Sequence, residues 1–540
     1  MQGLYSAVRK VNRWSGQEAA ISTEVELKLA ARSEDLPALK RALMTMARVS
    51  TQERLISTYY DTPNSALKQR GLTLRVRDQS GHFLQTVKEG DLGSEDLLSR
   101  GEWEDAVAES RPDPDATQSG PRLPEGAAAD LRPFFVTEVT RTMFAIEPAP
   151  GTKIEAAVDE GEIRAVANDR TEPIGEVELE LEGGDATALY DVAAQLLEVA
   201  PLRIETRTKS ERGYRLVACG DAAPPAVHAE PVILDPDMTL EAALQKIGRS
   251  CLVQLLRNEP AVLSAQSEGV HQMRVAVRRL RSAISSLKKI LPQEDVQWVT
   301  EELRWIGGTL GPARNLDVFA AELVPAARTG LPDEPGWDDL AATLGRLRAT
   351  AYDQIREAIL SQRYTASMLR LLRWFEASGW RRHSASDEPD PMTSPIGGIA
   401  PDVLDRRRRK VRQRGRGFGS LAPRERHKLR IGVKKLRYTV ELFGSLFDKD
   451  GLERFVSRLK RLQSDLGYAN DVRVAHEFVT ELFAQIEPRS PAAHAWVALL
   501  ETHDQMLANG ERKLRRHRRR LNDAAPFWRN QAGFSLPVRG

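Results

Sequence analysis

Around residue 220 the chain changes period, and that change limits its fold more than any other feature. Residues 21–217 alternate apolar and polar with period two in Ile21–Leu29, Leu72–Asp78, Phe83–Lys88, Arg100–Glu104, Thr137–Ile146, Lys153–Asp159 and Gly175–Leu181, the pattern of strands wetted on one face. Helices are expected only at Asp35–Ala47 and Asp185–Leu197. A proline-rich stretch at 219–238 ends this region, and from Thr239 the period is 3.6 with almost no strand signal. The expected units are an extension at 1–20, a strand domain at 21–218, a linker at 219–238, a helical domain at 239–525 and a tail at 526–540. A low-periodicity stretch at 383–399 divides the helical domain, giving halves of about 239–385 and 400–525.

The halves are duplicates. HQMRVAVRRLRSAI begins at His271 and HKLRIGVKKLRYTV at His427, while LGPARNLDV begins at Leu310 and LGYANDVRV at Leu466. Both pairs are offset by 156 residues, so a repeated all-α domain of two four-helix bundles is expected.

Charge separates the regions as sharply as period does. Residues 1–220 hold 27 Lys+Arg against 37 Asp+Glu, and residues 221–540 hold 51 against 39, so the second region calls for an anionic partner. The two cysteines, Cys219 and Cys251, are too few for a disulfide framework, which suits a reducing compartment. With no apolar run of membrane-spanning length and no apolar core in residues 1–20, a cytoplasmic location is expected.

In TEVELKL, Glu24, Glu26 and Lys28 share one strand face and Val25, Leu27 and Leu29 the other. Arg75 and Arg77 oppose Leu72, Leu74 and Val76; Arg100, Glu102 and Glu104 share a face; Glu176, Glu178, Glu180 and Glu182 oppose Val177, Leu179 and Leu181. Taken singly, each strand reads as the wetted side of an antiparallel sheet. Taken together, and with the apolar faces packed against helices, the charged faces line an interior. Carboxylates suit a divalent cation and guanidinium rows suit phosphate oxygens. The insertion at 109–130 reads as a disordered surface loop, with the shaping of a tunnel mouth as the alternative.

The ordered series Glu24-x-Glu26-x-Lys28, YYDTP, LRVR, TVKEG, RGEWE, TR at Arg141, VDEGEI, EVELE and TKSERGY resembles the CYTH, or triphosphate tunnel metalloenzyme, superfamily over about residues 21–217. The resemblance implies an α+β domain built on an eight-stranded antiparallel barrel that holds a linear triphosphate. By carry-over, Arg75, Arg77, Arg141 and Lys209 bind phosphate oxygens, and Lys28 and Lys88 act beside them. Glu24, Glu26, Glu178 and Glu180 hold Mg²⁺ or Mn²⁺, and Glu102, Glu104, Asp159 and Glu176 help to position the metal. The implied activity is metal-dependent hydrolysis of tripolyphosphate to pyrophosphate and phosphate. The alternatives are a thiamine triphosphatase or adenylate cyclase type of activity, or a non-catalytic polyphosphate-binding scaffold.

At 100° per residue, His271, Arg274, Arg278 and Arg281 form a basic stripe opposite Met273, Val277, Leu280 and Ile284. His427, Arg430, Lys434 and Arg437 repeat it. One such stripe reads as a solvated face, but packing alone needs to repeat only the apolar side. Residues 406–437 add 15 Lys+Arg with one acidic residue, and residues 512–520 seven basic residues in nine. No aromatic residues interleave the stripes, so a phosphate polymer fits better than nucleic acid. The region 236–525 resembles the CHAD family, which implies inorganic polyphosphate binding by these eight residues. The histidines read as phosphate donors or as satisfied core polar groups; nothing nearby supports a metal.

Overall fold

The computed structural model describes residues 25–79, 81–89, 101–219, 223–381, 390–484 and 486–529. Glu24, Arg100, the extension at 1–20 and most of the tail lie outside these residues. The chain forms two compact units. One runs to Ala222 and includes Leu360–Ala377; the other comprises Ala223–Ile359 and Ser378 onward.

The first unit is a nine-stranded antiparallel sheet in the order β5-β4-β3-β2-β6-β7-β8-β1-β9. The strands are β1 (Glu26–Ala30), β2 (Ala47–Asp61), β3 (Leu72–Gln79), β4 (His82–Glu89), β5 (Gly101–Val107), β6 (Arg132–Ala149), β7 (Thr152–Ala165), β8 (Thr171–Gly183) and the two-residue β9 (Arg203–Ile204). Helices α1 (Leu36–Met46), α2 (Ala66–Gln69), α3 (Thr187–Val199) and α4 (Lys209–Cys219) accompany it. Alternation behaves as the sequence suggests in β1, where Leu27 and Leu29 are buried.

Within YYDTP, the two tyrosines point to opposite faces. Tyr60 joins Leu67, Leu74, Val76 and Val87 in an outer apolar cluster. Asp61 is wholly buried and accepts from the amides of Thr62 (2.7 Å), Leu67 (2.9 Å) and Lys68 (3.1 Å) and from the Tyr214 hydroxyl (2.9 Å). The carboxylate thereby satisfies donors at the start of α2, which no residue of that helix can do.

The insertion at 109–130 is ordered, which corrects the reading of it as a disordered loop. Gln85 donates to the Asp113 carbonyl (2.9 Å) and Ser119 Oγ (2.8 Å) and accepts from the Asp113 amide (2.7 Å). Arg122 stacks 4.2 Å from the Trp103 ring, and Ala127, Leu123 and Leu131 pack into the outer cluster. The segment therefore seals the outside of β3–β4–β5 and lies away from the charged face.

The second unit is helical. It contains α5 (Leu240–Arg257), α6 (Glu259–Leu263), α7 (Ser267–Leu287), α8 (Gln293–Thr309), α9 (Gly311–Val318), a π-helical turn (Phe319–Leu323), α10 (Val324–Gly330) and α11 (Trp337–Leu360). After these come α13 (Ile396–Arg414), α14 (Pro423–Leu442), α15 (Lys449–Phe483) and α16 (Pro491–Asn522). The starts of α5, α7 and α8 at 240, 267 and 293 recur in α13, α14 and α15 at 396, 423 and 449, so the 156-residue offset applies to elements as well as motifs. One difference is that the single helix α15 corresponds to the broken run α8–α10.

Helix α12 (Gln362–Glu376) clusters with the first unit although sequence places it in the helical region. Arg373 pairs with Asp191 through two bonds (2.6 and 3.0 Å), Thr365 donates to the Leu202 carbonyl (2.6 Å) and Gln362 to that of Leu197 (2.5 Å). These contacts seat α12 on α3. No helix among the described residues is long and apolar enough to cross a membrane.

Candidate active site and a basic cluster

Strand register fixes which side chains meet. Lys28 lies opposite Glu178 and Glu26 opposite Glu180 across β1–β8, while Asp159 lies opposite both Glu176 on β8 and Arg141 on β6. Tyr59 and Ser57 face Arg75 and Arg77 across β2–β3, and Lys88 and Thr86 face Glu102 and Glu104 across β4–β5. Cross-strand partners share a face, so one surface of the sheet carries all of these groups.

On that surface cations and carboxylates are already matched. Lys28 Nζ lies 3.0 Å from Glu178 and 3.2 Å from Glu26. Arg141 grips Asp159 with two bonds of 2.7 and 2.6 Å and also reaches Glu178. Lys209, the first residue of α4, contacts Asp159 (2.7 Å), Glu178 (2.8 Å) and Glu176. On the other side Lys88 pairs with Glu102 (2.8 Å), and Arg75 approaches Glu102 (3.4 Å) and Glu104 (3.9 Å).

Titration follows from this packing. Burial works against each charged form, but Lys209, Lys28 and Arg141 overcome it at Glu178 and hold that carboxyl well below the usual range. At Glu176 burial wins and raises the pKa despite Lys209. Burial also opposes the Lys28 ammonium, yet Glu178 and Glu26 keep it above an ordinary lysine. Arg77 differs from its neighbours. Its Nε donates to Ser57 Oγ at 3.3 Å, it forms no ion pair among the described residues, and burial with Arg75 and Arg141 nearby lowers it to about 10.

An apolar cluster of Tyr59, Phe135, Val139, Ile163, Ile174 and Tyr214 closes one end of the same face. Tyr214 comes from α4, and Gly213 lets that helix approach: a Cβ there would stand 2.3 Å from the Phe135 ring. Helix α4 thus brings Lys209 to the carboxylates and the Tyr214 ring to the apolar cluster at one end of the charged face.

Of the residues the sequence singled out, Glu26, Lys28, Asp159, Glu176, Glu178, Arg141 and Lys209 form one connected network, and Arg75, Lys88, Glu102 and Glu104 a second. Glu24 lies outside the described residues. The structure regroups the expected metal ligands: Asp159, Glu176 and Glu178 offer oxygens within 4.8 Å of one another, whereas Glu180 groups with Glu155 and Glu182. Two participants escaped the sequence reading. Tyr59 stacks 4.5 Å from Phe135, and although burial alone would raise its pKa, Arg75, Arg77 and Lys209 lower it. Arg212 binds Glu172 (2.8 Å) and Glu176 (3.3 Å) from α4. Alternation through Leu55, Ser57 and Tyr59 marks the former; the spacing Lys209, Arg212 at i, i+3 marks the latter.

The helical unit presents the opposite electrostatics. Arg274 and Arg278 of α7 meet Arg430 and Lys434 of α14. Burial first, then Arg430 and Arg278, lower Lys434 to about 6, and burial with Arg278 and Arg314 lowers Arg274 to about 10. His271 falls to about 4 through burial, Arg314 and Arg278. Asp471 is the carboxylate facing Arg430 and Lys434, and burial raises its pKa. Arg278 Nε donates to the Tyr438 hydroxyl (2.8 Å), and His427 Nδ1 lies 3.1 Å from Asn470 Oδ1.

The stripe splits at its C-terminal end. Arg437 donates to Gln463 (2.7 Å) and Glu441 (2.9 Å). Arg281 lies near Arg304 and Lys435 instead of Lys434. The two LG elements also diverge: Arg314 adds a cation beside His271 where Asn470 and Asp471 add an amide and an anion.

The family model described as CYTH domain matches residues 22–214, and that described as CHAD domain matches 246–480. An inorganic triphosphatase of Haemophilus influenzae is 30% identical over 198 residues, 36% of this chain and 54% of that protein. An uncharacterised protein of Mycobacterium tuberculosis is 28% identical over 248 residues, 42% of this chain and 43% of that one. The chain thus spans about half the length of these curated relatives. The crystal structure of the CHAD domain from the plant Ricinus communis is 27% identical, covering 55% of this chain and 96% of that one with a TM-score of 0.48. Sheet, charged face and helical region fall where the two family models match, and the chain carries a CYTH domain followed by a CHAD domain.

Proposed function

We propose that the CYTH domain hydrolyses tripolyphosphate to pyrophosphate and phosphate with Mg²⁺ or Mn²⁺, and that the CHAD domain binds inorganic polyphosphate. The observation that carries the first half is the joint presence of three converging buried carboxylates, Asp159, Glu176 and Glu178, and of Arg77, a buried guanidinium without an ion pair among the described residues. A set of carboxylate oxygens suits a hard divalent cation. Asp159, Glu176 and Glu178 would hold it, with Glu24 and Glu26 at the start of the domain contributing. The bound ion supplies charge neutralisation and Lewis acidity at the phosphoryl oxygens.

The side chains themselves bind and orient. Arg77 accepts the anion first, because among the described residues it has no carboxylate partner to give up. Arg75, Arg141, Lys28, Lys88 and Lys209 then exchange carboxylates for phosphate oxygens, which frees the carboxylates for the cation. An anion entering with divalent ions leaves this buried network balanced, whereas either partner alone leaves charges unpaired at high cost. Phosphoryl transfer gathers charge on the oxygens of the transferred group, and fixed guanidinium and ammonium groups stabilise it without a nucleophilic side chain. Tyr59 holds Arg75, and the apolar cluster around it keeps water from that end.

Purified protein with tripolyphosphate and Mg²⁺ or Mn²⁺ should release orthophosphate. Glu24→Ala with Glu26→Ala should abolish that release and leave polyphosphate binding intact; retained turnover in this variant defeats the assignment. The likeness in sequence to an inorganic triphosphatase over the CYTH region supports the reading. For the CHAD domain, support comes from the cluster of Arg274, Arg278, Arg430 and Lys434, where burial and neighbouring cations disfavour the charged forms of Arg274, Arg430 and Lys434 until an anion arrives.

A further inference from the structure

The basic residues of the helical unit continue well past the duplicated cluster. Lys435, next to Lys434 on α14, faces Arg407, Arg281, Arg414 and Lys410. Arg407 on α13 is held there by Ser285 (2.5 Å) and Ser286 (2.9 Å) of α7. Arg414, at the end of α13, donates to the Lys428 carbonyl (2.9 Å).

Beyond Arg414 the loop GRGFG meets the C-terminal end of α16. Arg518 lies against Gly415, 3.0 Å from where a Cβ would stand, and Arg515 lies against Gly419 at 3.4 Å. Glycine at both positions lets guanidinium groups rest on the backbone. Arg512, Arg515 and Arg519 share a helix face by their spacing, and all three are exposed. Two carboxylates meet this end of α16: Glu511, shared by Arg426 (2.9 Å) and Arg515 (3.0 Å), and Asp465, beside His517 (2.6 Å) and Lys513 (3.8 Å). None of α16 lies within the residues that the CHAD family model matches.

We propose that the C-terminal end of α16, with the loop after α13, is a second contact surface for a condensed phosphate chain. Lys435 follows Lys434 on α14 but faces Arg407, Arg281 and Arg414, so the inferred surface leads away from the Lys434 cluster, and long chains engage both regions while short chains fill the first alone. Among the described residues the surface has no exposed ring for a base to stack on. Phe418 is buried between Arg426 (5.0 Å) and Arg518 (5.2 Å), which favours an anion without bases. Joining two contact regions on one chain raises affinity by making the second event intramolecular.

This inference rests on polyphosphate binding by the CHAD domain, and the test separates the two. Affinity of the full-length protein would be measured for sodium polyphosphate of short and long mean chain length at two salt concentrations. The variant Arg512→Gln/Arg515→Gln/Arg519→Gln should weaken long-chain binding about tenfold or more and flatten its salt dependence, leaving short-chain binding within about twofold. The matching triple lysine variant should keep long-chain affinity, which distinguishes lost charge from misfolding. Equal loss for both lengths, or no loss for either, overturns the second surface. Tighter binding of single-stranded oligonucleotides of matched charge, lost in the triple glutamine variant, overturns its assignment to condensed phosphate. Arg274→Gln/Lys434→Gln reports on the underlying reading: if it leaves short-chain binding intact, the duplicated cluster is not the primary site, whatever α16 does.

Discussion

The two domains handle half-buried cations in opposite ways. In the sheet, Lys28, Arg141 and Lys209 are each bound to carboxylates within about hydrogen-bonding distance, and their ammonium and guanidinium groups are stabilised in place. In the helical domain, Arg274, Arg278, Arg430 and Lys434 face one another with Asp471 as the carboxylate beside them. A matched network can accept a substrate only by exchanging partners, which couples anion entry to metal entry. An unmatched cluster gains simply by receiving an anion. On the proposed function, catalysis and retention require different charge arrangements even when both ligands are phosphates.

The largest effect that could break this contrast is at Glu178. Glu178→Gln leaves Lys28, Lys209 and Arg141 short of a buried partner, so stability should fall by ~3–5 kcal/mol. Phosphate release should drop by roughly 100-fold or more. Calorimetric or fluorescence melting together with an orthophosphate assay checks both, and an unchanged melting temperature would mean that the network is not compensated as described.

A smaller effect of opposite sign is expected in the helical domain. Arg274→Gln/Lys434→Gln removes mutual repulsion, so melting temperature should stay level or rise. Polyphosphate affinity should meanwhile fall ~10–100-fold, with a salt slope lower by about one per lost phosphate contact. Destabilisation of this variant would show that these groups are paired after all.

A third effect concerns pH. Lys434 is lowered from 10.5 to about 6 in the folded protein, so between those values the unfolded chain binds more protons, and the stability of the unliganded protein rises with pH. Bound phosphate reverses the preference and draws a proton onto Lys434, so affinity falls as pH rises through the same range. Thermal melts of the unliganded protein should move to higher temperature across that window. Lys434→Met should remove the slope.

Much of this was legible in the sequence because both periods are strict. Alternation in TEVELKL and EVELE put Lys28 and Glu178 on one face before any register was known, and the offset of 156 between motifs became an offset between helix starts. What the sequence hid was long-range. Strand β2 was missed because its first half, around Thr51 to Arg54, is polar on both sides and exposed, so alternation vanishes where neither face is buried. Spacing within β8 sets Glu178 beside Glu180, whereas register sets Glu176 opposite Asp159 on β7, so the convergence of Asp159, Glu176 and Glu178 could not be read from one strand. Helix α4 carries Lys209, Arg212 and Tyr214 to three separate partners, none of them near in sequence.

Helix α12 sits on α3 through Arg373, Thr365 and Gln362, yet it is translated well after the sheet that it completes. At about 5–20 residues per second, the ribosome spends on the order of ten to thirty seconds between the two helices. During that interval the nascent sheet domain must wait with one flank uncovered, which makes the order of synthesis, rather than the order of domains, the schedule on which this enzyme-like half matures.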